Sequence, residues 1–147
     1  MAKFRMAATA LLIAGSAPAL AEGVLPPDWR QQLPVLLDDL VSAWREPGAW
    51  EGTTQIAGLE LPGAEVGVVV NNELVLHGWD LAVATGQPYE PDPANLEASW
   101  QMVSATPDDP GARSGLFGPV VPVPADAPLL DRLLGGAGRD PRWSPPA

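Results

Sequence analysis

The chain has 147 residues, 46% of them hydrophobic, which allows one domain with a modest core and is too short for two. Its 18 acidic residues outweigh 8 basic ones, and the formal net charge of -10 makes nucleic acid an unsuitable partner, because phosphate backbones are bound by clustered Lys and Arg. The absence of cysteine excludes disulfides, thiolate metal ligands and a protein thiol nucleophile, so any thiol chemistry must come from a cofactor.

Residues 1–22 support two readings. Lys3 and Arg5 precede the apolar run Met6–Gly15, and Ala19-Leu20-Ala21 before Glu22 fits the small-x-small pattern of an export-signal cleavage site. The same Ala/Leu/Met-rich stretch also has the helix propensity of the end of a buried or amphipathic helix. In neither case is it long enough to span a bilayer, which needs roughly 20 apolar residues. The remaining 23–147 read as one domain, and the 18 prolines and 15 glycines of the whole chain predict short elements joined by stiff loops.

From Asp28 the spacing becomes helical. Leu33, Leu36, Leu37, Leu40, Val41 and Trp44 form one apolar stripe, with Asp28 and Gln31 placed as a capping box and Glu46-Pro47-Gly48 as the stop. Pro34 either kinks this helix or marks its first turn. Trp29, Trp44 and Trp50 are expected to supply core area. Thr53–Ile56 and Leu59–Leu61 flank Ala57-Gly58 and suggest a short extended segment or a loose hairpin.

A second helix is expected from about Gly63 to Ala84, with Pro62 at its start and Thr85-Gly86 as its C-terminal cap, and its length makes it the central element. Along it Val66, Val70, Glu73, His77, Leu81 and Ala84 share a face, so a carboxylate and the only histidine of the chain interrupt an apolar stripe. Buried there, they must be paired, hydrated or metal-bound. Asp80, three residues beyond His77, either accepts a proton from the imidazole or faces water. A catalytic zinc site takes three protein ligands plus water, and a third ligand would have to be a carboxylate such as Asp38 or Asp39 or come from another chain.

Further on, Asp92 caps a third helix with Pro93 at its first position and Leu96, Trp100 and Val103 as its stripe. Thr106–Arg113 reads as a loop, with Asp108-Asp109 solvated. Leu116–Pro124 has too many prolines for a central strand and reads as an extended segment. Asp126 is placed to cap a short helix from Pro128 to about Leu134, ended by Gly135-Gly136, and Trp143 to pin down a proline-rich tail.

Two ordered stretches carry a resemblance. Glu73-Leu-Val-Leu-His77-Gly-Trp-Asp80-Leu-Ala82 followed by Ala84-Thr85-Gly86-Gln87-Pro88 resembles the third-helix signature of the DinB-like metal-binding proteins related to mycothiol-dependent maleylpyruvate isomerase, common in actinobacteria. Phe117-Gly118-Pro119 through Pro128, Asp131-Arg132-Leu133-Leu134 and Gly138-Arg139-Asp140-Pro141 are similar to that family's C-terminal signature, and Asp28–Thr53 also fits. The resemblance implies an all-α fold, an up-down four-helix bundle here present in part, with proline-rich extended segments. It implies a divalent metal, zinc or else nickel, on Glu73 and His77, with mycothiol as the thiol cofactor and a small-molecule substrate. The family's remaining ligand is a histidine on an earlier helix that this sequence lacks, so the metal site is expected to be incomplete. It further implies a cytoplasmic protein in which residues 4–12 align with the end of the second bundle helix, against the exported alternative. Where helices are missing, exposed apolar faces would favour a homodimer, and in the competing reading Glu73 and His77 are a buried polar pair in a non-catalytic, partner-binding protein.

Overall fold

A computed structural model describes residues 26–56 and 59–145. Both readings of residues 1–22 lie outside these described residues. Within them the chain is mostly helical: α1 (Trp29–Arg45), β1 (Thr53–Ile56), β2 (Leu59–Pro62), α2 (Gly63–Ala84), α3 (Pro93–Ala105), α4 (Pro110–Arg113) and α5 (Leu129–Gly136). The all-α expectation holds at that level, with one two-stranded sheet added. The chain divides into two compact units, one up to Gly67 and one from Val68.

In the first unit α1 takes in Pro34, which lies inside the helix in its second turn. The capping box does not form. Asp28 makes no side-chain bond to the helix N-terminus and instead accepts from Gln32 Nε2 at 2.6 Å, a contact one turn along. The expected apolar stripe splits: Leu36, Leu40 and Trp44 are half-buried, while Leu33, Leu37 and Val41 are exposed. A 310 turn over Pro47–Ala49 then brings Trp50 back on Trp44, with ring centroids 4.9 Å apart and the Trp50 indole N–H donating to the Trp44 carbonyl at 2.9 Å. A side chain at Gly67 would meet the Trp50 ring, so the lack of a Cβ there gives the indole its place against α2. The hairpin is antiparallel, pairing Thr53 with Pro62 and Ile56 with Leu59, and Thr53 donates across it to Glu60 at 2.9 Å.

The second unit holds the described core. Val75 and Leu76 of α2, Val103 of α3, and Leu133, Leu134 and Ala137 in and just after α5 are buried together, with Trp79, Leu96, Trp100, Phe117 and Leu130 packed around them. At about 25 cal/mol per Å² of apolar area removed from water, each such fully buried Leu or Val contributes roughly 1.5–3 kcal/mol. A polar tie supplements them, Asn71 Nδ2 of α2 donating to the Asn95 carbonyl and to Ser99 Oγ of α3 at 2.9 and 3.0 Å. The start of α3 is as expected: Asp92 Oδ1 accepts from the Ala94 and Asn95 amides, with Pro93 at a position where no N–H is needed.

The segments after α3 depart from expectation in two places. The stretch expected to be a loop contains the single turn α4, capped by Asp109, whose Oδ1 accepts from Gly111 and Ala112. It carries Arg113, buried at 4% exposure, whose guanidinium donates to the backbone carbonyls of Gly118 and Gly136. The last helix begins at Leu129 with Pro128 as N-cap, not Asp126, and runs through Gly135 and Gly136. Gly135 lies under Val121 and Val123, where a Cβ would collide, and its carbonyl accepts from the Val121 amide at 2.9 Å. Its glycines serve close packing and not termination.

Helices α2 and α5 end in the same way. Beyond α2, Gly86 has φ +68, the Gln87 amide donates to the Ala82 carbonyl at 2.8 Å and Gly86 to Val83 at 3.3 Å. Beyond α5, Gly138 has φ +83, Arg139 donates to Leu134 at 2.8 Å and Gly138 to Gly135 at 3.0 Å. These are Schellman caps, which need a left-handed residue and so select glycine.

Candidate functional site

Helix α2 is apolar on more than one side, and it buries the face its spacing suggested only at Val66 and Val70, departing from it beyond Asn72. Val70, Val75, Leu76 and Ala82 are buried along with Asn72, whereas Leu74 and Leu81 are more than half exposed. Glu73 and His77 lie on the outer side with 48% and 64% of their side chains exposed. The expectation that they interrupt a buried stripe, and with it the reading as a buried polar pair, is therefore corrected. With apolar residues on both sides of the helix, the inward face is chosen by where α3 and α5 pack, and Val75 and Leu76 meet them.

The two residues nevertheless meet each other. They sit one turn apart, and His77 Nε2 lies 3.1 Å from Glu73 Oε2. The other ring nitrogen, Nδ1, lies 2.9 Å from Asp80 Oδ2. Asp80 is in turn gripped by Arg139, whose Nε and Nη2 donate to its Oδ1 and Oδ2 at 2.8 Å each. This fork is the planar, bidentate pairing in which Arg holds a carboxylate best. It also holds the Asp80 carboxyl below its ordinary value of 3.8, first through the hydrogen bonds from Arg139 and further through its charge and the His77 contact, against an opposing effect of burial. The Schellman cap at Gly138 places Arg139: its amide closes that cap, so the side chain leaves the end of α5 at a fixed point.

A chain of polar contacts thus runs Arg139–Asp80–His77–Glu73. A neutral imidazole carries one N–H. Each ring nitrogen of His77 faces a carboxylate oxygen, Asp80 on Nδ1 and Glu73 on Nε2; with the N–H on Nδ1, Nε2 presents a lone pair toward Glu73. Two lone-pair donors 3.1 Å apart attract only when a proton or a metal cation lies between them. Bound to one ion at roughly 2.0–2.2 Å each, an imidazole nitrogen and a carboxylate oxygen stand about this far apart. A carboxylate on the far ring nitrogen is the usual outer partner of a ligating histidine. The described residues supply no set of three or more His, Cys, Asp or Glu side chains gathered to hold a metal. Asp38 and Asp39, the carboxylates expected as alternatives for the third position, are exposed on α1.

Behind Asp80 lies an open cleft of about 340 Å³, walled by Trp79 and Val83 of α2 and by the segment Gly138–Asp140 with Trp143. Neither Arg139 nor this cleft was assigned a role from the sequence. The usable signal was the run Gly138-Arg139-Asp140: a glycine closing a helix, then a cation, in a chain where carboxylates far outnumber cations.

Comparison with protein-family models, with curated proteins and with solved structures finds no match to this chain.

Proposed function

We propose that this is a divalent-metal-binding helical protein of the DinB-like kind, related to mycothiol-dependent maleylpyruvate isomerase, with an incomplete metal shell on Glu73 and His77. The observation that supports it best is the facing pair of His77 Nε2 and Glu73 Oε2 at 3.1 Å, with Asp80 set on Nδ1 and Arg139 locking Asp80. Glu73 and His77 would hold the ion, zinc or else nickel, and Asp80 would fix the tautomer that exposes the Nε2 lone pair. When bound, such an ion supplies Lewis acidity, lowering the pKa of a thiol such as mycothiol toward neutrality. The chain's own residues orient and hold. Arg139 keeps Asp80 from rotating away, and the exposure of Glu73 and His77 leaves room for a third ligand from solvent, substrate or another chain. In this reading the four-helix bundle is present in part, α2 corresponding to the family's third helix, and the protein acts in the cytoplasm on a small-molecule substrate.

Two protein ligands fall short of the roughly 10–16 kcal/mol that complete structural zinc sites reach. Calorimetric titration with zinc is expected to show binding weaker than about 1 µM. It should disappear in His77→Ala and weaken by about tenfold or more in Asp80→Asn, which keeps the shape and removes the charge behind Nδ1. Binding that is the same in wild type and His77→Ala would overturn the site.

A second reading rests on α1. Leu33, Leu37 and Val41, spaced four apart on one ridge, are each 45–46% exposed. Such a ridge suits association of two copies of this chain, in a partner-binding protein without catalysis where Glu73 and His77 form only a surface ion pair. The two readings separate on metal content and on oligomeric state.

A further inference from the structure

We propose that the cleft between α2 and the turn after α5 binds a small organic cation, of the quaternary or methylated ammonium class, between the indoles of Trp79 and Trp143. It is lined by Trp79 and Val83, four residues apart on α2, and by Trp143 from the turn after α5. Trp143 is placed by a tight turn: its amide donates to the Asp140 carbonyl at 3.0 Å, which folds Asp140–Trp143 back toward the helix. The residue is 46% exposed, so much of a large apolar ring is left accessible beside the cleft. At about 340 Å³ the cleft is at the small end of ligand-pocket size and suits a compact head group.

The charges around it select the sign of the ligand. Arg139 has Nε and Nη2 committed to Asp80 and Nη1 turned to the Ala137 carbonyl at 3.4 Å, so the Asp80–Arg139 pair is internally neutral and offers an anion little. Asp140 is the carboxylate left over. Its Oδ1 accepts from the Arg142 amide at 2.9 Å, but the Arg142 guanidinium stands at 3.3–3.5 Å on a side chain 87% exposed, a pairing that water largely screens. The Asp140 carboxyl lies below its ordinary value through the hydrogen bonds from Arg142, so it is ionised at neutral pH. Two indoles beside a carboxylate whose ion-pair partner is an exposed arginine form an arrangement suited to a weakly hydrated cation, by cation–π attraction and by charge. The net charge of -10 favours its approach. This inference does not depend on the metal reading, since neither Glu73 nor His77 lines the cleft.

The test is an NMR titration of the full chain, following the indole N–H resonances of Trp79 and Trp143. The probes are choline, its uncharged isostere 3,3-dimethylbutan-1-ol, and benzoate. Choline is expected to shift both resonances saturably and the alcohol to shift them far less. Trp143→Ala should weaken choline binding about tenfold and Trp143→Phe much less, as a cation–π contact of roughly 1.4 kcal/mol dictates. Asp140→Asn should also weaken it. Trp143 lies at an exposed turn, so these variants fold, and unchanged amide dispersion verifies it. Equal response to the alcohol, tighter binding of benzoate, or no response to choline would each overturn the proposal.

Discussion

Asp80 is the residue on which both halves of the polar chain depend. It accepts two hydrogen bonds from Arg139 and one contact from His77, and its carboxyl pKa is depressed as a result. A depressed folded value means that the unfolded chain takes up the proton first. The stabilisation is therefore complete above the unfolded value of about 3.9 and is lost as pH falls through the lower folded value. Exposed ion pairs are commonly worth about 0.2–1 kcal/mol, and the bidentate geometry here favours the upper end, near 1 kcal/mol. A double-mutant cycle of Asp80→Asn and Arg139→Met, read by urea denaturation, should give a coupling of that size at neutral pH that falls away as the pH drops below the ordinary carboxylate range. A coupling that persists unchanged in acid would contradict the charge-based account. The sequence leaves Asp80, three residues from His77, either as an acceptor for the imidazole or facing water; its second partner, 59 positions away, is not legible there, because no local rule links α2 to the end of α5.

At the level of elements, the two Schellman caps differ in what surrounds them. Gly86 has φ +68 and open space where a Cβ would project, whereas a Cβ on Gly138, at φ +83, would press on the Gly118 backbone at 2.8 Å. Gly86→Ala should then cost only the left-handed penalty, about 1–2 kcal/mol. Gly138→Ala should cost clearly more, adding the displacement of Gly118 and of Arg139, whose amide closes the cap. Thermal or urea unfolding of the two variants checks the order, and equal losses would show that Gly118 yields freely. The cap at Gly86 and the N-cap at Asp92 were legible because capping depends on residues within one turn. The cap at Asp28 failed although its spacing was right, since Gln32 reaches Asp28 first. Helix α4 was missed because one turn has no periodicity to read.

For the whole molecule, the exposed ridge of α1 makes a direct expectation. If Leu33, Leu37 and Val41 form a surface for a second copy, sedimentation velocity should show a concentration-dependent dimer, and Leu37→Glu should convert it to monomer with the helix content unchanged. A monomer at every concentration would remove the partner-binding reading and leave the metal reading standing. Among the described residues no helix is long and apolar enough to cross a membrane, in agreement with the expectation of no membrane span.

The sequence by itself determined what is local: the extent of α2 from Gly63 to Ala84, the hairpin before it, the capped start of α3, and the adjacency of Glu73 and His77 on successive turns. These follow from hydrogen bonds and side-chain spacings within a few residues. Which face of α2 is buried was decided only by tertiary structure. The helix has apolar residues on both sides, so its periodicity does not choose, and the packing of Val75 and Leu76 against α3 and α5 turned Glu73 and His77 outward. The same packing brought Arg139 to Asp80 and set Trp79 and Trp143 along one cleft, arrangements of segments far apart in the chain that depend on where whole helices settle. It thereby moved the Glu73–His77 pair from an imagined buried stripe to an accessible surface, held from behind by an arginine.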